Sequence, residues 1–520
     1  MSRRLALALW AAVLALALGV RLPPLLAALP YISYVDEGFV LHPAVHLLAA
    51  RTWDPGTYRY PSLPIYAVAG ALALESPVYA AVHGRPLRGD LSPDPPQLYD
   101  LIEPVDVLVL GRLLTLLVSL GVVALTGLLA RRLAGEGAGL FAALLAALVP
   151  ALVIRGSIAT VDPWAALFVL AALLFAEGAA RSGRPWRGAL LAGAMAGCAL
   201  TSKYLHALVA VAVVATLARS EGGWRRRLQA IALAGAAGVL AALATMPALA
   251  LRGGQVLADL RGTSTGYAAA STEDGFWIQA VESAEWDQPF DGPEMGLPLL
   301  ACAALGGLAA AWDRRFRGTV LAWGLYAGAL GLLLSSYPVR PFRNLVPLVP
   351  LACVLAALLL TRIGERLRRP AWTGTAAVLG ALALLLPDMA SYAYDRARVV
   401  DTRAQAIDWV VSHSGEDDTV LVSQELAIPR DELARLPGTA LELDLSHARA
   451  RLRQRGDVEL VVTGTFNVEP DLPSLLAEGR AKAPYTLAAQ FGKRRGMDGW
   501  RSNRRAVFVF RRVDPAAGRD

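Results

Sequence analysis

The chain has 520 residues, a formal net charge of +7, 55% hydrophobic residues and only 18% charged ones, where a soluble globular domain carries roughly 25% charged residues. That composition excludes a disordered chain, a long coiled coil and an ordinary cytosolic enzyme. Charge is unevenly spread, with 39 Asp, Glu, Lys and Arg side chains in residues 395–520, so two solvents are implied: a bilayer for about the first 390 residues and water for the tail.

Spanning a hydrocarbon layer takes about 20 mostly apolar residues, and about eleven segments qualify or nearly so. They lie near 5–22, 105–130, 138–154, 164–180, 188–202, 204–218, 228–250, 297–312, 318–336, 343–361 and 372–389. A further apolar stretch, 63–82, is interrupted by Glu75, Ser76 and Pro77. Basic residues cluster in cytoplasmic loops, and one extra crossing would exchange the side of every later loop. With Arg3 and Arg4 inside, the groups Arg131/Arg132, Arg181/Arg184/Arg187, Arg219/Arg225/Arg226/Arg227, Arg314/Arg315/Arg317 and Arg362/Arg366/Arg368/Arg369 are cytoplasmic only if 63–82 does not cross. That stretch is therefore read as a re-entrant or interfacial helix on the outer side.

The expected fold class is an all-α polytopic membrane protein with juxtamembrane helices on its outer face, followed by a small soluble α/β domain. Residues 1–392 form the transmembrane domain, with a first outer loop at 23–104 and a second at 251–296. Residues 395–520 form the extracytoplasmic domain. The first helix is read as an uncleaved anchor, because Arg21-Leu22-Pro23-Pro24 offers no small-x-small cleavage site. The net positive charge sits mostly in the membrane part, so it reflects loop topology rather than a nucleic-acid partner. Cys198, Cys302 and Cys353 all fall in apolar runs and give neither a metal spacing nor a disulfide framework.

Polar residues out of place in this pattern collect on the expected outer side. The first loop holds Asp36-Glu37 and, further on, Tyr58-Arg59-Tyr60-Pro61-Ser62-Leu63; this is either a solvated loop with interfacial anchors or part of a site. Asp162 before Pro163 opens a helix, as an ordinary N-cap does. Lys203 stands between two apolar segments too closely spaced for a loop. A charge at membrane depth costs about 3 kcal/mol or more, so Lys203 either faces a cavity or partner or snorkels to the interface. Arg340 and Arg343 enter another span from the outer side and break the sign preference of the loops. His42 and His46 are read as interfacial packing rather than a metal pair, for want of a third ligand.

Taken together, these are carboxylates that accept a proton and cations that hold an anion, on one face of a membrane bundle. An outward site has no supply of nucleotide sugars, so an activated substrate arrives already attached to lipid. A polyprenyl-phosphate sugar meets that need: cations spread the charge of the leaving phosphate and a carboxylate takes the proton of an acceptor hydroxyl.

At these residues the chain resembles the bacterial lipid-carrier-dependent glycosyltransferases of the GT-C fold, a group that includes protein O-mannosyltransferase-like enzymes, aminoarabinose transferases and rhizobial lipopolysaccharide transferases. The matching pieces run through most of 1–390. They are Asp36-Glu37 after the first helix, Tyr60-Pro61-Ser62-Leu63 in place of a usual Pro-Pro-Leu, the helix-mouth Asp162, the pair Lys203-Tyr204, and Arg343-Asn344-Leu345-Val346-Pro347.

The resemblance implies transfer of a monosaccharide from a polyprenyl-phosphate donor to an acceptor hydroxyl of a glycan, lipid or protein, with inversion at the anomeric carbon. It implies Asp36 as the catalytic base, and Glu37 positioning the acceptor or the first loop. Tyr60 and Tyr204 are carried over as substrate-binding, Lys203 and one of Arg340 or Arg343 as contacts to the lipid phosphate, and Asp162 as orienting a partner or sugar hydroxyl. The family generally needs no metal and the resemblance implies no cofactor. It places the chain in a bacterial inner membrane, surrounded by lipid, with its N-terminus cytoplasmic. This sequence departs from the pattern in its Pro-rich insertion at 83–104 and in the altered Pro-Pro-Leu element, both on the acceptor side. The loop 251–296 holds Tyr267, Phe276, Trp277 and Trp286 among acidic residues, and is either a lid or an aromatic belt.

In the tail, strands are expected at 419–423, 458–463 and 506–510 and helices at 401–413, 446–455 and 472–479, a small α/β pattern. No Gly-rich phosphate loop follows its first strand, so the tail is read as a scaffold or acceptor-binding element rather than a nucleotide site. The competing class is a transporter or flippase that does no chemistry. Against it stand the one-sided placement of the ionisable residues and the lack of an internal repeat.

Overall fold

A computed structural model describes residues 2–32, 36–91, 104–182, 185–221, 223–269, 295–337, 342–368, 370–398, 400–426, 428–443, 445–455, 457–464, 476, 481–491 and 507–513. Its N-terminal part is a helical bundle of α1 (Arg3–Leu26), α2 (Asp36–Ala49), α3 (Ser62–His83), α4 (Val105–Ala134), α5 (Glu136–Leu148), α6 (Pro150–Arg155), α7 (Asp162–Ala180), α8 (Trp186–Ser202), α9 (Val209–Leu217), α10 (Trp224–Thr245), α11 (Ala248–Leu251), α12 (Gly253–Ala269), α13 (Leu297–Trp312), α14 (Arg317–Ser335), α15 (Val349–Arg366) and α16 (Pro370–Arg398). The expected spans fall in helical segments, but 138–154 is split between α5 and α6, 228–250 runs from α10 into α11, and 204–218 and 343–361 each begin in a 3-10 turn. By length and composition, 8 described helices suffice to cross a membrane, and α5, α9 with its preceding turn, and α13 are apolar but shorter.

One of the 8 is α3, the stretch in question. Its two ends meet partners at the same end of the bundle. Tyr60, just ahead of it, donates to Asp36 at 3.2 Å, and His83, its last residue, stands 4.0 Å from Asp106 in the first turn of α4. The same helix end carries Arg112, which binds Glu37 beside Asp36.

Helices in lipid gain little from apolar burial against one another, so close packing of small residues has to bind them. Here α8 and α10 cross on Gly193 and Gly197 against Ala234 and Gly238: a Cβ at Gly193 would lie 1.9 Å from the Ala234 carbonyl oxygen, and one at Gly197 would lie 2.2 Å from that of Gly238. The Thr201 and Thr245 hydroxyls share a 2.7 Å hydrogen bond further along the same pair. Gly193→Leu drives a side chain into backbone that cannot yield. Its expected result is loss of the monodisperse detergent-solubilised protein on size exclusion, whereas Gly235→Leu, in open space, leaves the profile unchanged.

Buried arginines repair the backbone where spans break. α5 ends ahead of Pro150, which lacks the N–H that the Ala146 carbonyl would take. The fully buried Arg21 of α1 donates to Ala146 at 3.1 Å, to Ala147 at 2.8 Å and to Ser119 Oγ at 3.0 Å. An orphaned carbonyl in hydrocarbon costs several kcal/mol, roughly, so the cation is held by helix-end carbonyl dipoles and the Ser119 hydroxyl. At the other end of the bundle, buried Glu177 of α7 pairs with Arg219 at 2.9 Å and Arg181 at 3.5 Å.

The C-terminal part carries α17 (Thr402–His413), β1 (Thr419–Ser423), α18 (Arg430–Leu433), β2 (Thr439–Leu443), α19 (Leu445–Gln454), β3 (Leu460–Gly464), β4 (Tyr485–Phe491) and β5 (Val507–Arg512). The sheet has 5 strands in the order β2-β1-β3-β5-β4, parallel from β2 to β3 and antiparallel thereafter. The helix expected at 472–479 lies outside the described residues except for residue 476. Two strands, β2 and β4, have no counterpart in the sequence reading. Both are sheet edges with mostly solvent-facing residues, so neither shows the apolar run that marks β1, β3 and β5.

Candidate active site

The first turn of α2 starts with Asp36 and Glu37, two acidic residues at the positive end of a helix dipole. They point to different partners. Glu37 is fully buried and grips Arg112 of α4 with both oxygens, at 2.7 Å to Nε and 2.9 Å to Nη2, and its Oε1 also accepts the Ala159 N–H at 3.1 Å. Arg112 spends its other donors on the carbonyls of Leu25, Ala27 and Tyr31. Glu37 is expected to position the acceptor or the first loop, and its contacts are with Arg112 and the Ala159 N–H. Its carboxylate is saturated inside protein, and it fixes the first loop to α4.

Asp36 faces the other way, into a ring of groups brought from four distant parts of the chain. Its Oδ2 pairs with Arg343 Nη1, and its Oδ1 accepts from the Tyr60 hydroxyl at 3.2 Å. Arg343 sits in a 3-10 turn, Phe342–Leu348, leading into α15. Its carbonyl accepts from Lys203 Nζ at 3.2 Å, and Lys203 Nζ also pairs with Asp162 Oδ1 at 2.6 Å. Lys203 is the extended residue where α8 stops, ahead of the 3-10 turn Tyr204–Leu208. That break aims the side chain inward instead of letting it snorkel. Asp162 is the first residue of α7 rather than its cap, which is Val161, so its carboxylate serves Lys203.

Two carboxylates thus flank two cations in one connected array, Asp36, Arg343, Lys203, Asp162. Side-chain exposure is 4% for Asp36, 15% for Arg343, 13% for Lys203 and 2% for Asp162. The cations are the solvent-facing members, and the carboxylates lie behind them. Formal charge cancels within the array, which is what allows it to persist at the end of an apolar bundle.

Tyr60 stacks on Phe39 of α2 with ring centroids 4.7 Å apart. It is held through Tyr58, whose N–H binds Asp259 of α12 at 2.7 Å and whose hydroxyl binds Asp54 at 2.8 Å. Burial first, then that bond to Asp54, pushes the Tyr58 phenol up from its ordinary range, so it stays a proton donor. Tyr204 donates its hydroxyl to the Tyr58 carbonyl at 2.9 Å, which makes it a brace for the loop carrying Tyr60. Asp54 pairs with Arg252, whose guanidinium lies 5.5 Å from the Trp53 ring centroid. Arg340 and residues 270–294 of the second loop lie outside the described residues.

Three buried residues near the array have no place in the sequence reading. Arg112 and Arg155 are lone charges in apolar stretches, a signal that was present in the sequence, and Arg155 acts electrostatically on Asp162. His206, one turn beyond Lys203, is fully buried with its Nδ1 2.8 Å from the Tyr326 hydroxyl. Among the described residues, no group of three or more His, Cys, Asp or Glu side chains is placed to hold a metal ion.

The sequence profile of the family described as dolichyl-phosphate-mannose-protein mannosyltransferase matches residues 106–250. A search of curated protein sequences finds no match. Among solved structures, ArnT from Cupriavidus metallidurans bound to undecaprenyl phosphate aligns over 97% of this chain and 97% of its own, with a TM-score of 0.55 at 16% identity. The chain has the GT-C fold. The archaeal oligosaccharyltransferase AglB from Archaeoglobus fulgidus, in complex with an inhibitory peptide and a dolichol-phosphate, aligns over 88% of this chain and 69% of its own, with a TM-score of 0.50 at 13% identity. The segment of this GT-C chain that matches the family profile contains Arg112, Asp162 and Lys203, but neither Asp36 nor Arg343.

Proposed function

We propose that the protein transfers a monosaccharide from a polyprenyl-phosphate donor to an acceptor hydroxyl at the extracytoplasmic face of the membrane. The observation that carries this reading is the connected array Asp36, Arg343, Lys203, Asp162, in which two cations stand in front of two carboxylates at one end of a bundle of spans. The presence of polyprenyl phosphates in the GT-C structures above supports the donor class.

In this reading the donor phosphate takes Arg343 and Lys203 as its counter-ions, competing with the carboxylates that pair with them. Arg343 turns from Asp36 to the phosphate, and Asp36 is left with the Tyr60 hydroxyl as its orienting partner. The acceptor oxygen attacks the anomeric carbon from the side opposite the phosphate and forms the new C–O bond. The old bond breaks toward the phosphate oxygen, whose negative charge the two cations stabilise. Asp36 takes the acceptor proton, and the displacement inverts the anomeric centre. Lys203 keeps Asp162 within reach, so Asp162 orients the cation and a sugar hydroxyl rather than moving a proton.

The test is release of polyprenyl phosphate from a polyprenyl-phosphate sugar by the purified protein in the presence of acceptor-bearing envelope extracts. No release with any lipid-linked sugar overturns the assignment. Lys203→Gln removes one charge-assisted contact to phosphate, and polyprenyl-phosphate binding by isothermal titration is expected to weaken by about 10- to 100-fold. An unchanged Kd removes Lys203 from the phosphate site.

A further inference from the structure

The soluble domain is joined to the loop that leads into Asp36 by an unusually complete set of contacts. Tyr31, only five residues ahead of Asp36, is 2% exposed and belongs to the apolar cluster of the soluble domain, with Ala406, Ile407, Val410 and Leu426. The Arg403 guanidinium of α17 lies 4.5 Å from the Tyr31 ring centroid. Arg403 is fully buried and neutralised by Asp401, through Nε and Nη2, both at 2.8 Å. Its remaining donors go to two carbonyls: Leu426 of its own domain at 3.1 Å, and Ile32 of the first loop at 2.9 Å.

On the membrane side the neighbouring carbonyl, that of Tyr31, accepts from Arg112 at 3.4 Å, and Arg112 is itself neutralised by Glu37. Two successive carbonyls are therefore held by two buried arginines, one from each part of the protein. Each arginine is charge-balanced by a carboxylate of its own side, so its spare N–H groups are committed to backbone. A planar guanidinium makes such a fork rigid where an ammonium would not.

We propose that the soluble domain is a positioning element of the active site, acting through Arg403 and the Tyr31 ring to fix the approach of the chain to Asp36. Neither residue touches substrate. The proposal rests on Asp36 as the working base for its effect on rate, but not for the clamp itself.

The experiment uses full-length protein in detergent or nanodiscs. Hydrogen exchange is compared for wild type, Tyr31→Ala, Tyr31→Phe and Arg403→Lys, alongside kcat and KM for the lipid-linked donor and the Kd for polyprenyl phosphate. Tyr31→Ala and Arg403→Lys are expected to speed exchange of the first-turn amides of α2 by about tenfold or more, with β1, β3 and α4 unchanged. They lower kcat by about 10- to 100-fold, the usual penalty for a misplaced catalytic group, with donor KM and phosphate Kd unchanged. Tyr31→Phe keeps the ring and the backbone carbonyl, and restores both readouts.

Unchanged exchange at α2 in both disruptive variants overturns the proposal, whatever happens to activity. So does accelerated exchange throughout the β-sheet without change at α2, because the ring then serves only the soluble domain's core. If Tyr31→Ala fails to fold, Arg403→Lys decides by the same comparison. Absence of transfer by the wild type would defeat the functional assignment alone, since the exchange arm still tests the clamp.

Discussion

Asp36→Asn is expected to lower turnover by about 10²- to 10⁴-fold, the range spanned by loss of a general base, while polyprenyl-phosphate binding is retained or modestly tightened. The two halves of this result have one physical cause. Asp36 neutralises Arg343 and accepts from Tyr60. Asparagine keeps the volume and one acceptor oxygen but not the charge, so Arg343 loses the carboxylate that competes with the donor phosphate. A group that only helped bind donor would give the opposite pattern, a weaker Kd with turnover intact at saturation. Single-turnover assays at saturating donor, with binding measured separately, distinguish the two. Retained turnover in Asp36→Asn removes this residue from the base role.

Its sequence neighbour is expected to behave quite differently. Glu37→Gln should cost about 3–5 kcal/mol of stability, the usual penalty for breaking a buried ion pair on one side. Glu37 and Arg112 each have 0% side-chain exposure, and the amide nitrogen of glutamine would face an Arg112 N–H, at Nε or Nη2, that now donates to a carboxylate oxygen. The measurement is thermal unfolding of the detergent-solubilised protein, in which Glu37→Gln melts well below wild type and Asp36→Asn close to it. Equal melting of the two variants would show that the Glu37 to Arg112 bond is not the anchor of the first loop.

That contrast also indicates which parts of the site were legible in the sequence. Asp36, Lys203, Arg343 and Asp162 are conspicuous because each is a charge beside an apolar run, and a charge there needs a reason. Their pairing was not legible, since Asp36 and Arg343 lie 307 positions apart. Glu37 reads as a companion of Asp36 by adjacency alone. Only the helix, which turns successive side chains by about 100°, sends one toward the cations and the other into the core.

Tyr204 was read with Lys203 for the same reason, yet its hydroxyl braces the Tyr58 carbonyl. The arginines that hold backbone carbonyls, Arg21, Arg112 and Arg403, are the hardest class to read. Carbonyl acceptors have no side-chain signature, so nothing in the sequence marks where such an arginine will bind. The spans themselves were visible from apolar length. The path of α3 is inferred only through the sign of the loops beyond it.

The strand order β2-β1-β3-β5-β4 carries a consequence for biosynthesis. β5 is the last strand among the described residues but occupies an interior position in the sheet, and Val507 and Val509 belong to the same apolar cluster that receives Tyr31. A ribosome must therefore deliver the chain through β5 before the pocket for Tyr31 is whole. The segment beside the aspartate therefore acquires its lock more than 450 residues after it is made, and a chain cut short before residue 507 would lack part of that pocket.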